Sequence, residues 1–178
     1  MYFLFSLFCV NNVICMKIFR FLLVLCGTLF ASMGLAGEID GMRFIHIGLE
    51  EGLSHSTIFG INQDKEGNLW FATYDGFNKY DGYNFTVYRH QYKNPKSIAS
   101  DITRCVVIDN DNRIWIGTRE GLSLYNHRKN EFSNFFYKKK GQNVTVRNIV
   151  PMQKDWLMLG TTEGILLFDV KGERFLND

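Results

Sequence analysis

Residues 52–85 read GLSHSTIFGINQDKEGNLWFATYDGFNKYDGYNF, and the spacing of turn residues within them decides the fold. Thr57 to Asn62 is a β-branched and aromatic run. Asp64-Lys65-Glu66-Gly67-Asn68 follows as a hairpin loop, with Gly67 free to take a positive φ. Leu69 to Thr73 makes a second strand, Tyr74-Asp75-Gly76 a turn, and Phe77 to Tyr80 a third strand. Asp81-Gly82 turns again into Phe85 to Tyr88. Turn signals this closely spaced describe an all-β meander of four short strands.

The pattern returns twice. Ser97 to Phe132 and Asn143 to Phe175 can be laid over the first segment, and internal repetition outranks any other fold signal. Trp70 recurs as Trp115; Thr73 as Thr118 and Thr161; Gly76 as Gly121 and Gly164; Tyr80 as Tyr125 and Phe168. The period is 45 and then 43 residues, taken between Gly76, Gly121 and Gly164. In the third copy Met158 stands at the Trp position, with Trp156 two residues earlier. The second strands are apolar on both sides (Leu69 and Phe71 against Trp70 and Ala72; Ile114 and Ile116 against Trp115 and Gly117), whereas a sheet with one wet face alternates. Both faces must be covered, as when four-stranded sheets stack around an axis. A small residue at Ala72, Gly117 and Gly160 is then expected where neighbouring sheets approach closely. The fold class is therefore all-β: three β-propeller blades, each a four-stranded antiparallel meander. Three blades leave a strand edge and an apolar face open, so an incomplete propeller of marginal stability, a fragment of a longer protein, is expected.

The first 36 residues obey a different rule. From Met16, Lys17 and Arg20 form a basic start, Phe21 to Leu29 an apolar core, and Ala31, Ser32, Gly34, Ala36 and Gly37 a small-residue stretch. That order is a secretory signal peptide over 16–36, an apolar helix removed near Ala36. Residues 1–15 carry no charge and read as an upstream extension from a misassigned start. The rival reading is a double-length leader retained as a membrane tether. Cys26 is no lipoprotein cysteine, because Leu25 precedes it where a small residue is needed. The organisation is thus extension 1–15, leader 16–36 and repeats over 44–178 (52–88, 97–135 and 143–175). Without Lys17 and Arg20 the chain holds 18 basic against 18 acidic residues, and a neutral balance argues against nucleic acid as a partner. Lys138-Lys139-Lys140, the one basic cluster, reads as a solvated loop. Cys105 is the only cysteine beyond residue 36; it has no disulfide partner there and reads as a buried apolar residue in a strand.

No Trp-Asp dipeptide and no Gly-Gly pair occurs, which sets aside WD40 and kelch repeats. What the residues resemble is the two-component regulator propeller repeat: GLS at 52–54, QDKEGNLWFAT at 63–73, DGFNKYDGYNF at 75–85, IDNDNRIWIGTREGLSLYN at 108–126, and more loosely LGTTEG at 159–164. The resemblance runs from about Phe44 to Phe175. It implies the exported sensor region of a Bacteroidetes-type hybrid two-component histidine kinase, in which the blades precede a transmembrane helix and a cytoplasmic kinase. The implied function is extracytoplasmic ligand recognition in signal transduction, with carbohydrate as the signal. The implied partners are a glycan or oligosaccharide ligand, the remaining blades and kinase, and a second copy of the chain in a homodimer. The implied location is the periplasm, free or membrane-tethered through the leader. No kinase residue is present, so no enzyme activity is expected of these residues.

Candidate chemistry is sparse. Asp109-Asn110-Asp111-Asn112 opens like a calcium loop with Glu120 at the twelfth place, but Ile114 stands where the sharp turn needs Gly and Arg113 occupies a ligand position. Asp75, Glu120 and Glu163 recur at one repeat position and read as turn residues rather than paired catalytic carboxylates. His46, His55, His90 and His127 show no metal-ligand spacing. Neither catalytic residues, a metal nor a cofactor is expected. The residues singled out are structural repeat positions: Trp70, Thr73, Gly76, Tyr80, Trp115, Gly117, Thr118, Gly121, Tyr125, Gly160, Thr161, Gly164 and Phe168. Tyr74, Tyr83 and Tyr92 are the better candidates for stacking on sugar rings, with His55 in a loop entering a blade. An exported propeller enzyme acting on polysaccharides, a lyase or hydrolase, is the alternative function.

Overall fold

The computed structural model of the chain describes residues 44–153 and 155–176; the upstream extension, the leader and its apolar helix lie outside the described residues. The first sheet is built from β1 (Ile58–Gln63), β2 (Leu69–Thr73), β3 (Gly76–Tyr80) and β4 (Phe85–Tyr88). The second holds β5 (Thr103–Ile108), β6 (Ile114–Thr118), β7 (Gly121–Asn126) and β8 (Glu131–Phe135). A short hairpin, β9 (Lys138–Lys139) and β10 (Gln142–Asn143), precedes the third sheet of β11 (Val146–Met152), β12 (Trp156–Thr161), β13 (Gly164–Asp169) and β14 (Arg174–Phe175). Each four-stranded sheet is an antiparallel meander in chain order, and no helix occurs among the described residues. These are three propeller blades.

The turns repeat because the same side chains close them. Thr73 Oγ1 donates to the Gly76 carbonyl at 2.8 Å and accepts the Asp75 amide at 3.2 Å. Thr118 does the same with Gly121 and Glu120 at 3.0 and 3.2 Å, and Thr161 with Gly164 and Glu163 at 2.7 and 3.1 Å. The acidic residue contributes its backbone amide to this turn, which leaves its carboxylate free to reach outward. Gly76, Gly121 and Gly164 all take a positive φ, of 111°, 144° and 104°. At Gly121 a Cβ would also sit 2.5 Å from the Phe135 carbonyl oxygen, so glycine is required there twice over.

The first strands lie in series along one edge of the stack, β1 beside β5 and β5 beside β11. Trp70, Ala72 and Phe77 of the first sheet meet Val106, Ile114, Ile116, Tyr125 and Phe132 of the second in one buried cluster. Cys105, Trp115 and Leu122 on the opposite face of the second sheet meet Ile149, Leu157, Leu159, Leu166 and Phe168 of the third. Both faces of the second sheet are therefore covered, which is why β6 is buried along its whole length. The repeated Trp and the repeated aromatic are partners across blades: Trp70 meets Tyr125 at 5.1 Å between ring centroids, and Trp115 meets Phe168 at 5.8 Å.

Each Trp is also tied to its own blade. Trp70 Nε1 donates to Asp64 Oδ2 at 2.8 Å, and Trp115 Nε1 to Asp109 Oδ2 at 2.9 Å. A buried indole N–H needs such an acceptor. At the corresponding places in the third blade both partners are replaced, by Met152 and Met158. Gly160 also departs from expectation. A Cβ at Gly117 would lie 2.8 Å from the Val146 carbonyl oxygen of the third sheet and 2.5 Å from Cys105 Sγ, which is the close approach expected. At Gly160, among the described residues, the nearest atom is Asn148 Cβ of its own sheet at 3.4 Å. The small residue there accommodates no neighbouring sheet among the described residues.

Adding one methyl group separates the two positions. Gly117→Ala is expected to lower the unfolding free energy by about 2–3 kcal/mol through overpacking against backbone. Gly160→Ala should stay within about 1 kcal/mol of the parent. Urea denaturation of the two variants checks this, and equal losses would contradict the sheet-to-sheet contact at Gly117.

Candidate functional site

The turns β2–β3, β6–β7 and β12–β13 emerge at the same end of the blades as the segments that join one sheet to the next. Hydrogen bonds tie the two sets together: Gly76 N to Asp101 O at 2.7 Å, Arg119 N to Ile102 O at 2.9 Å, and Thr162 N to Thr145 O at 3.2 Å. Thr103 Oγ1 accepts the Thr73 amide at 2.7 Å, linking the first two blades at this end. Loops gathered on a rigid scaffold are where recognition residues collect.

A cavity of about 660 Å³ opens here between the second and third blades, bounded by the β6–β7 turn, the β12–β13 turn and the β9–β10 hairpin. Its walls carry Arg119, Glu120, Lys138, Lys139, Asn143 and Glu163. Glu120 Oε2 accepts the Asn143 amide nitrogen at 3.0 Å, and Glu163 Oε2 pairs with Lys139 Nζ at 3.2 Å. The outward carboxylates of two blade turns thus hold the hairpin between them. Thr145 Oγ1 adds a bond to the Arg119 carbonyl at 2.9 Å. Asn143 Oδ1 is buried without a hydrogen-bond partner among the described residues. An adjoining cavity of about 570 Å³ shares Arg119, Glu120 and Asn143 and adds His90, Ser100 and Asp101. Carboxylate, amide, ammonium, guanidinium and hydroxyl groups arranged in this way suit a ligand rich in hydroxyl groups.

Lys138 to Lys140 are exposed, as the reading of a solvated segment has it, but two of them form β9 rather than a loop and Lys139 is ion-paired. The turn is made by Lys140 and Gly141 at φ of 53° and 79°, a left-handed pair that twists with the strands it joins. The Gly alone signalled it. Trp70 and Trp115 are 0% and 1% exposed, so neither reaches a ligand. Tyr83 and Tyr92 are exposed apart from this cavity. Tyr74 is half exposed and lies between His55 and Phe59, at 5.5 and 6.5 Å between ring centroids, a short aromatic ribbon at the first blade. His127 stands edge-on to Trp70, and His90 Nδ1 lies 2.9 Å from the Ile98 carbonyl. Among the described residues no three of His, Cys, Asp and Glu converge as metal ligands.

The opposite end carries the β1–β2, β5–β6 and β11–β12 hairpins, joined in series by polar contacts. Lys65 N donates to Asn112 Oδ1 at 3.1 Å, while Arg113 bridges Asp109 at 2.6 Å, Asp111 at 3.1 Å and Asp155 at 3.5 Å. Asp109 spends its acceptors on the Asp111 and Arg113 amides, Trp115 Nε1 and Arg113 Nε, an arrangement that closes a hairpin rather than a calcium loop. Burial pushes the Asp109 carboxyl up, but the bonds from Trp115 and Arg113 and the Arg113 charge outweigh it and hold the group below the usual carboxylate range. At Asp64 burial again raises the value, and bonds from Trp70, Asn68 and Glu66 outweigh it.

Residues 52–75 and 97–120 match the two component regulator propeller family. The chain is 32% identical to the extracellular domain of a hybrid two-component system from B. thetaiotaomicron, with a TM-score of 0.66 over 75% of this chain and 20% of that one. A second extracellular domain from that bacterium is 14% identical, with a TM-score of 0.59 over 75% of this chain and 19% of that one, a likeness of fold alone. Histidine kinase P4 of Formosa agariphila is 37% identical over 70 residues, 39% of this chain and 5% of that protein. The chain therefore spans about a fifth of the solved extracellular domains and a twentieth of that kinase. It carries two-component regulator propeller repeats.

Two outcomes follow from the buried groups. The stabilising contribution of Asp64 and Asp109 is present above the unfolded carboxylate value of about 3.9 and is lost as pH falls through their lower folded values. Asp109→Ala should cost about 2–3 kcal/mol at pH 7, since Trp115 and Arg113 lose their acceptor, and should flatten the loss of stability between pH 4 and pH 2. Urea midpoints across that range measure it. Cys105, pushed up to about 12 by burial, should resist alkylation by iodoacetamide at pH 8 until the chain unfolds; labelling in the folded state would contradict its place in the core.

Proposed function

We propose that this chain, bearing two-component regulator propeller repeats, is an extracytoplasmic ligand-recognition module of a membrane-bound two-component regulator, and that its ligand is a glycan or oligosaccharide. The observation that carries the reading is the cavity between the second and third blades, where Glu120, Asn143, Lys139 and Arg119 offer donors and acceptors to a hydroxyl-rich ligand. The 32% identity to an extracellular domain of a hybrid two-component system supports a sensing role outside the cytoplasm. The partners in this account are further propeller blades, a histidine kinase that receives the signal, and a second copy of the chain through which a change is transmitted. The protein is exported through its leader, released to the periplasm or held by that leader at the membrane. The module recognises and does not catalyse: Glu120 and Glu163, the carboxylates in the cavity, are held by Asn143 and Lys139 rather than poised as acid and base.

Isothermal titration against a panel of neutral oligosaccharides, with the products examined for cleavage, tests this. At least one glycan should bind without being cut, and Asn143→Ala should weaken it about tenfold, the scale of one lost polar contact. Chain cleavage would favour an enzyme, and absence of binding across the panel would contradict the glycan reading.

A further inference from the structure

Each first strand breaks its pairing once, at the same repeat position. The register skips between Ile58 and Gly60 in β1, between Thr103 and Cys105 in β5, and between Val146 and Asn148 in β11. The residues at the three breaks are Phe59, Arg104 and Arg147. A bulge lets a strand re-aim one side chain out of the alternation imposed by the pleat. Because β1, β5 and β11 are the neighbouring edge strands of their sheets, the three re-aimed residues come together along that shared edge.

They line one cavity of about 380 Å³. The Arg104 guanidinium lies over the Phe59 ring, 4.6 Å from its centroid. Its Nε is buried with no hydrogen-bond partner among the described residues. Neither Arg104 nor Arg147 joins any of the ion pairs among the described residues, in contrast to Arg89 and Arg113. Two guanidinium groups facing one cavity repel each other, and no carboxylate among the described residues lines that cavity. A buried N–H aimed at no acceptor adds to that imbalance. Planar guanidinium groups match oxyanions, to which each can donate two parallel bonds. Phe59 supplies an apolar wall beside them and continues into Tyr74 and His55.

We infer that Arg104 and Arg147, brought to one cavity by the repeated bulge, form an oxyanion-binding site for a carboxylate- or sulfate-bearing ligand, with Phe59 as its apolar wall. The site is distinct from the cavity around Asn143 and stands whether or not that cavity takes a neutral glycan.

The test is isothermal titration of the full chain, at low ionic strength, with sodium glucuronate, sodium sulfate and neutral glucose as probes. Saturable binding of glucuronate or sulfate, with none of glucose, is expected; the stronger of the two anions identifies the group recognised. Arg104→Gln and Arg147→Gln should each weaken the anion at least tenfold, and Arg147→Lys should retain more of the affinity than Arg147→Gln. Arg147 is exposed, so its variants report on binding even if Arg104→Gln unfolds the chain. Asn143→Ala should leave the anion affinity unchanged, which separates this site from the glycan cavity. Failure of the parent chain to bind either anion saturably, or unchanged binding in Arg147→Gln, would overturn the inference.

Discussion

The structure depends on one repeated interaction: a tryptophan held by its own blade and inserted against the next. Asp64 and Asp109 fix the indole nitrogens of Trp70 and Trp115, while the rings bear on Tyr125 and Phe168 across the sheet interface. A four-stranded meander is apolar on both faces and would not be stable alone. The indole supplies a large contact area, and the aspartate removes the cost of burying its N–H. The same aspartates order the hairpins at one end, so hairpin geometry and sheet stacking are set by a single group. In the third blade Met152 and Met158 replace aspartate and tryptophan together.

Blade periodicity was legible in the sequence because each blade solves the same local problem with the same residues. Thr73, Thr118 and Thr161 close identical turns, and their glycines share one backbone conformation. The indole–aspartate bond was hidden, since it joins positions six apart that meet only after the hairpin folds back. Gly160 misled because the repeat reports position within a blade, not whether another sheet stands opposite.

The candidate sites were less legible than the fold. The Asn143 cavity is formed by the β9–β10 hairpin, which the connection from β4 to β5 lacks, so no repetition announces it. The acidic positions Glu120 and Glu163 read as turn residues, and their backbones do serve the turns; only the structure brings their carboxylates to one hairpin. Arg104 and Arg147 lie in apolar strands as isolated charges. A bulge is a property of pairing register, so a sequence alone does not reveal that the two side chains share a cavity. Both candidate sites lie where the repeat pattern is broken, by a bulge within a strand or by a hairpin within a connection.

The account stands on the coupling between blades through Trp115 and Phe168. A double-mutant cycle on Trp115→Leu and Phe168→Leu, read by urea denaturation, measures that coupling directly. A favourable interaction energy of about 1 kcal/mol or more between the two positions is predicted, beyond the separate losses of buried area. Strictly additive losses would contradict the claim that this aromatic contact joins one blade to the next.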